Sequence, residues 1–198
     1  MTDRDLSVNI GVDFDNTIVQ YDRLFYKYAL RDKLIPEMTK PRKNEIRNYL
    51  RSLPGGEEQW TRLQGYVYGR YMDEAMASPG VERFFRACRQ ENIPLSVISH
   101  KTEFPAIGER LNLRTAAVQW MEKNRFFDPA GCGLSRERLF FETTRQEKIR
   151  RIIDVGCTHF IDDLEEVFLE EAFPGHVVKI LYTPEGDAAS RSDFLTFD

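Results

Sequence analysis

The stretch Ile10-Gly11-Val12-Asp13-Phe14-Asp15-Asn16-Thr17 decides the reading of this chain. Val8, Ile10 and Val12 form an apolar, β-branched alternation that predicts a buried strand over 8–13. The strand ends in two aspartates spaced i, i+2, and on extended backbone such residues point to the same side. Two carboxylates held together repel unless a cation or a shared proton relieves them. Thr17 adds a hydroxyl, completing the donor set that metal-assisted phosphoryl chemistry needs. With 14 Asp and 11 Thr in 198 residues, Asp-x-Asp-x-Thr is expected about 0.05 times by composition alone. The pattern is therefore informative, and its partners downstream sharpen it.

Three such partners follow in order. Thr158-His159-Phe160-Ile161 predicts a strand over 158–162 that again stops at paired acids, Asp162-Asp163. Leu164, Val167, Phe168 and Ala172 then fall on one face of a predicted helix over 164–172. Pro94 to Ile98 predicts a strand over 94–99, ending at Ser99-His100-Lys101. Lys148 lies on a predicted helix over 145–155 whose Ile149, Ile152 and Ile153 make an apolar stripe. Lys123, Arg145, Arg150 and Arg151 are alternative basic residues for the same role.

Asp-x-Asp-x-Thr on the first strand, Ser99 after the second, Lys148 on a helix and the acid pair Asp162-Asp163 resemble the four motifs of the haloacid dehalogenase (HAD) superfamily. The resemblance spans residues 8–166 as an ordered set. It implies an α/β, Rossmann-like three-layer sandwich with a mostly parallel five-stranded sheet in the order 3-2-1-4-5. It also implies a Mg²⁺-dependent phosphohydrolase. In that reading Asp13 is the nucleophile and a metal ligand. Asp15 is the acid/base, and its carbonyl also ligates the metal. Ser99 and Lys148 hold the transferring phosphoryl group. Thr17 and the backbone around Phe14 and Asn16 add donors, and His100 and Lys101, which follow Ser99, are placed to touch substrate. Of Asp162 and Asp163, one binds Mg²⁺ directly, with Asp163 favoured.

The rest of the chain is consistent with one core plus an accessory segment. Further elements are predicted at 80–91 (helix), 104–124 (helices), 139–143 (strand) and 176–182 (strand). Alternating strands and helices argue for a covered parallel sheet, with sites at strand carboxyl ends. The stretch 20–78 interrupts the alternation with helix formers, including one long predicted helix over 57–77. It looks like the helical cap of many HAD enzymes, giving a core of 1–19 and 79–198 and a cap of 20–78. The cap carries net +3 and the remainder −7, which suits an anionic substrate held with a cation. The tail after Thr183 turns polar and reads as a loose end.

No apolar run approaches the length of a membrane span, and residues 1–5 are charged rather than signal-like. Cys88, Cys132 and Cys157 are odd in number and scattered, which argues for reduced thiols in a cytoplasm and against a zinc site. The expected substrate is a small phosphorylated metabolite, and a nucleic-acid partner is disfavoured. The alternatives are a non-catalytic binding protein on the same fold and a phosphatase for nucleotides or nucleic-acid ends. A receiver domain would carry its acid pair on the first strand. A P-loop ATPase would need a G-x-x-x-x-G-K-[ST] sequence that the chain lacks. A dehalogenase needs no second acid at Asp15.

Overall fold

The computed structural model describes residues 7–183 and 195–197. The strands are β1 (Ile10–Val12), β2 (Val19–Gln20), β3 (Met76–Ala77), β4 (Leu95–His100), β5 (Leu139–Glu142), β6 (His159–Asp162), β7 (Val178–Tyr182) and β8 (Leu195–Phe197). The α-helices are α1 (Asp22–Arg31), α2 (Lys43–Arg51), α3 (Gly56–Gly65), α4 (Val81–Gln90), α5 (Leu113–Lys123), α6 (Arg145–Asp154) and α7 (Glu165–Phe168). Contacts divide the chain into two compact units, one of 1–18, 78–101 and 125–198, the other of 19–77 and 102–124.

The first unit is an α/β fold on a six-stranded sheet in the order β5-β4-β1-β6-β7-β8. Every pairing in it is parallel. Numbering only the strands of this sheet, the order is the expected 3-2-1-4-5 with a sixth strand added at the edge. That strand, β8, corrects the reading of the tail as a loose end over 195–197. Backbone pairing with the open edge of β7 satisfies groups that a polar composition alone does not reveal. Ile98, Ile149, Ile152, Cys157, Phe160, Val167, Phe168 and Phe173 form one buried cluster of this unit. Gly11 lies where a Cβ would come within 2.5 Å of the Phe160 ring and 2.9 Å of the Cys157 sulfur. Gly11→Ala is therefore expected to destabilise by about 1–3 kcal/mol through overpacking. Urea unfolding checks this, and an unchanged midpoint contradicts it.

Helix α7 ends at Phe168, short of the expected 172. Leu164 and Ala172 are exposed rather than on its buried face, and Phe173 is buried instead.

In the second unit α1, α2 and α3 pack on one another and α5 packs on the turns that follow α3, with Phe25, Trp60, Ile46, Leu50 and Val67 buried. Phe25 stacks on Trp60 with centroids 4.9 Å apart, and the Trp120 indole donates to the Ala75 carbonyl at 2.9 Å. The expected single helix over 57–77 is broken. After α3 come a π-helical turn (Tyr66–Arg70), a 3₁₀ turn (Met72–Glu74) and β3, which pairs antiparallel with β2. Only 113–123 of the expected helical 104–124 is helix. Pro105 and the positive φ of Gly108 suit the irregular segment before it. This unit thus differs from the expected 20–78 segment by including 102–124. That stretch adds three basic and three acidic residues, so the net charge stays +3. Among the described residues no helix is long and apolar enough to cross a membrane. The three cysteines are free and buried.

Candidate active site

Strands β1, β4 and β6 are neighbours, so their carboxyl ends lie side by side, and Asp13, Asp162, Asp163, Asn16 and Lys148 meet there. The Asp13 amide donates to the Ile161 carbonyl at 2.8 Å, carrying the β1–β6 ladder one residue past Val12. The chain then turns, with the Ile18 amide donating to the Phe14 carbonyl at 3.0 Å. Phe14 is fully buried and meets Phe141 edge-on, centroids 5.8 Å apart, which anchors the turn. Asn16 has a φ of 61°, left-handed backbone that Asn tolerates better than most residues.

Helix α6 begins with a capping box. The Glu147 amide donates to the Thr144 hydroxyl at 3.1 Å, and the Thr144 amide donates back to the Glu147 carboxylate at 3.0 Å. That start fixes which face is buried: Lys148, Ile149 and Ile152. Lys148 is 2% exposed, and its ammonium donates at 2.6 Å to both Asp13 and Asp162. Burial pulls the Lys148 pKa down, but the charges of Asp13 and Asp162 outweigh it and hold the ammonium above the ordinary lysine range. Burial and then the Asp13 charge push Asp162 up to about 6, against the opposing pull of Lys148.

Asp162 is fully buried, and its other oxygen accepts from the Leu164 amide at 3.0 Å. Asp163 is half-buried and accepts from the Asn16 side-chain amide at 3.2 Å. Among the described residues, Asp13, Asp162 and Asp163 form an acidic cluster with one oxygen from each lying within 4.8 Å of the others. This is a hard-oxygen donor set suited to a divalent cation such as Mg²⁺. The Ser99 and Thr17 hydroxyl oxygens are buried without a hydrogen-bond partner. A buried hydroxyl left unpaired is costly, so both fit an absent polar ligand.

The remaining assigned residues make contacts of their own. The Asp15 carboxylate is outside the three-acid cluster and is gripped by Lys101 at 2.9 Å. His100 is exposed, and its ring Nε2 lies 2.9 Å from the Thr143 carbonyl. The Asn16 side chain is engaged with Asp163. Of the alternative basic residues, Arg145 pairs with Glu170 and Arg151 with Glu142. Arg150 is exposed, and Lys123 belongs to the second unit, where it donates to the Asp73 carbonyl. Lys101, read with His100 as a substrate contact, holds Asp15, a pairing the sequence reading did not foresee. Its signal was its spacing, two residues beyond Ser99 and thus on the same side of extended backbone.

No family model and no curated relative matches the chain by sequence. Solved structures do match by shape. A predicted phosphoglycolate phosphatase from Haemophilus somnus 129pt is 13% identical, with a TM-score of 0.61 covering 98% of this chain and 96% of that one. A HAD hydrolase of family IA, variant 3, from Entamoeba histolytica is 12% identical, with a TM-score of 0.57 covering 96% and 92%. A HAD family hydrolase from Deinococcus radiodurans R1, crystallised with phosphate and sodium, is 14% identical, with a TM-score of 0.53 covering 98% and 93%. The chain has the fold of the HAD-superfamily hydrolases.

Proposed function

We propose that the protein is a Mg²⁺-dependent phosphohydrolase acting on a small phosphorylated metabolite through an aspartyl phosphate at Asp13. The observation that carries this reading is the buried Asp13–Lys148–Asp162 array, with the unpartnered buried hydroxyls of Ser99 on β4 and Thr17 in the turn after β1. The fold shared with a predicted phosphatase and with a phosphate-bound hydrolase supports the class.

In this reading the Asp13 carboxylate attacks phosphorus, and the P–O bond to the leaving alcohol breaks. Asp15 gives its proton to the departing oxygen. It then takes a proton from water, which attacks the phosphorus of the acyl phosphate and releases inorganic phosphate and the free Asp13 carboxylate. Lys148 offsets the negative charge of Asp13 and of the transferring group, and Ser99 and Thr17 donate to its oxygens. Asp13, Asp163 and the Asp15 carbonyl would hold Mg²⁺, with Asp162 positioned behind them. When bound, the cation screens the repulsion between carboxylate and phosphoryl oxygens.

Hydrolysis of p-nitrophenyl phosphate is expected to vanish in excess chelator and return with Mg²⁺. Undiminished turnover in chelator contradicts the metal role. Binding of the cation has a pH signature. Asp162 is raised to about 6, so the metal-free fold binds a proton more tightly than the unfolded chain, and its stability from this group falls as pH rises toward 6. A cation held at Asp13 and Asp163, beside Asp162, disfavours that proton by its charge, so its stabilisation is full above pH 6 and shrinks below. At 100 times the dissociation constant the gain is about 2.7 kcal/mol. Thermal melts at pH 7.5 and pH 5 read it, and equal gains at both contradict it.

The net +3 of the second unit is proposed to favour anionic over neutral metabolites through its electrostatic field. Turnover of sugar phosphates, nucleotides and a 3′-phosphorylated oligonucleotide is compared across ionic strength. Steeply salt-dependent turnover of the oligonucleotide alone contradicts the metabolite assignment.

A further inference from the structure

The two acids after β1 each have their own buried lysine. Lys148 serves Asp13 and Asp162, whereas Asp15 is met by Lys101 from the end of β4, the strand paired with β1. The Lys101 amide donates to the Glu142 carbonyl at 2.8 Å, extending the β4–β5 ladder one residue past His100. Extended backbone there sends Ser99 and Lys101 to the same side. The Lys101 side chain is 3% exposed, and its ammonium lies 5.5 Å from the centre of the buried Phe14 ring. It donates to both Asp15 oxygens, each at 2.9 Å. A lysine is rarely buried to this degree, because removing its charge from water is expensive unless a partner compensates. The terminal torsion of an aspartate is broad, and one hydrogen bond leaves it free to rotate. A grip on both oxygens fixes the carboxylate plane.

We propose that Lys101 is a positioning residue for Asp15, holding its carboxylate in the orientation that exchanges a proton with the leaving group and with water. The proposal rests on the phosphohydrolase reading for its kinetic consequence and on the contact itself for its structural one. Proton transfer demands hydrogen-bond geometry, and a misplaced group loses rate without losing substrate affinity.

The test uses the full-length protein with Mg²⁺ and a series of alkyl and aryl phosphates of graded leaving-group acidity. In single turnover, which reads only the first phosphoryl transfer, Lys101→Met is expected to lower the rate for alkyl phosphates about 100-fold with the half-saturating concentration unchanged, the scale of a misplaced catalytic group. For p-nitrophenyl phosphate, whose leaving group needs no proton, the loss should stay below about tenfold. Lys101→Arg, which restores charge, should recover part of the alkyl phosphate rate. In an Asp15→Asn background Lys101→Met should add no further loss. An equal fall across the series, or additive losses, overturns the proposal.

A wild-type protein inactive on every phosphomonoester contradicts the phosphohydrolase reading instead. The contact is then judged by ¹³C NMR of the Asp15 carboxyl, assigned by its loss in Asp15→Asn. Its resonance should shift in Lys101→Met and, by a different amount, in Lys101→Arg. An unmoved resonance overturns the proposal, and Lys101→Arg carries both readouts should Lys101→Met not fold.

Discussion

Asp13→Asn is expected to abolish turnover, by about 10⁴-fold or more, the scale seen when a nucleophile is removed. The substitution keeps the shape of the side chain and removes its nucleophilic oxygen. It also leaves Lys148 paired with Asp162 at 2.6 Å, so the buried lysine still has a counter-charge. The melting temperature should therefore stay within about 4 °C of wild type. Turnover and thermal melts of the same preparation check both halves. Wild-type turnover in Asp13→Asn removes this residue from the chemistry, and a large loss of stability makes it a structural residue first.

Lys148→Met is expected to do the opposite to stability. It leaves Asp13 and Asp162, 4% and 0% exposed, facing one another with no ammonium between them. Breaking a buried ion pair by removing one partner costs about 3–5 kcal/mol, here a fall of roughly 6–20 °C in melting temperature. The sign with pH follows from Asp162, which burial and the Asp13 charge already raise to about 6. Without Lys148 its carboxyl rises further, so the destabilisation is greatest at neutral pH and eases toward pH 5 as the acid takes a proton. Adding Asp13→Asn to Lys148→Met removes one of the repelling charges and should recover part of the lost stability, a non-additive pair. A Lys148→Met protein as stable as wild type at pH 7.5 contradicts the array as the structural centre of the site.

Much of this site was legible because strand ends write themselves plainly in sequence. Asp13 and Asp15, then Asp162 and Asp163, each follow a short apolar run, and period-2 geometry makes paired acids at such ends conspicuous. The neighbourhood of β1, β4 and β6, which brings Ser99 into reach, came with the family resemblance rather than from any one residue. Lys148 could be named but not separated from Arg145, Arg150 and Arg151, because a basic residue on a helix reads as solvated until the packing face is known. Lys101 could be read as a substrate contact but not matched to Asp15, because that partner lies 86 residues away in sequence.

The second unit shows the limit most clearly. The run from Glu57 to Ala77 has helical composition, yet its backbone is broken after Gly65. A Cβ at Gly65 would come within 3.0 Å of Pro105, and one at Gly69 within 2.9 Å of Leu111. The glycines admit close approach of a segment some forty residues away. Such tertiary packing overrides local propensity and is invisible to it.

The stereochemical course at phosphorus tests the account most directly. Hydrolysis through an aspartyl phosphate is two in-line displacements, each inverting the centre. An aryl phosphorothioate made chiral with ¹⁶O and ¹⁸O, turned over with Mg²⁺ in ¹⁷O-labelled water, is expected to give chiral inorganic thiophosphate with net retention. Net inversion would mean that water attacks the substrate directly, and would contradict Asp13 as the nucleophile.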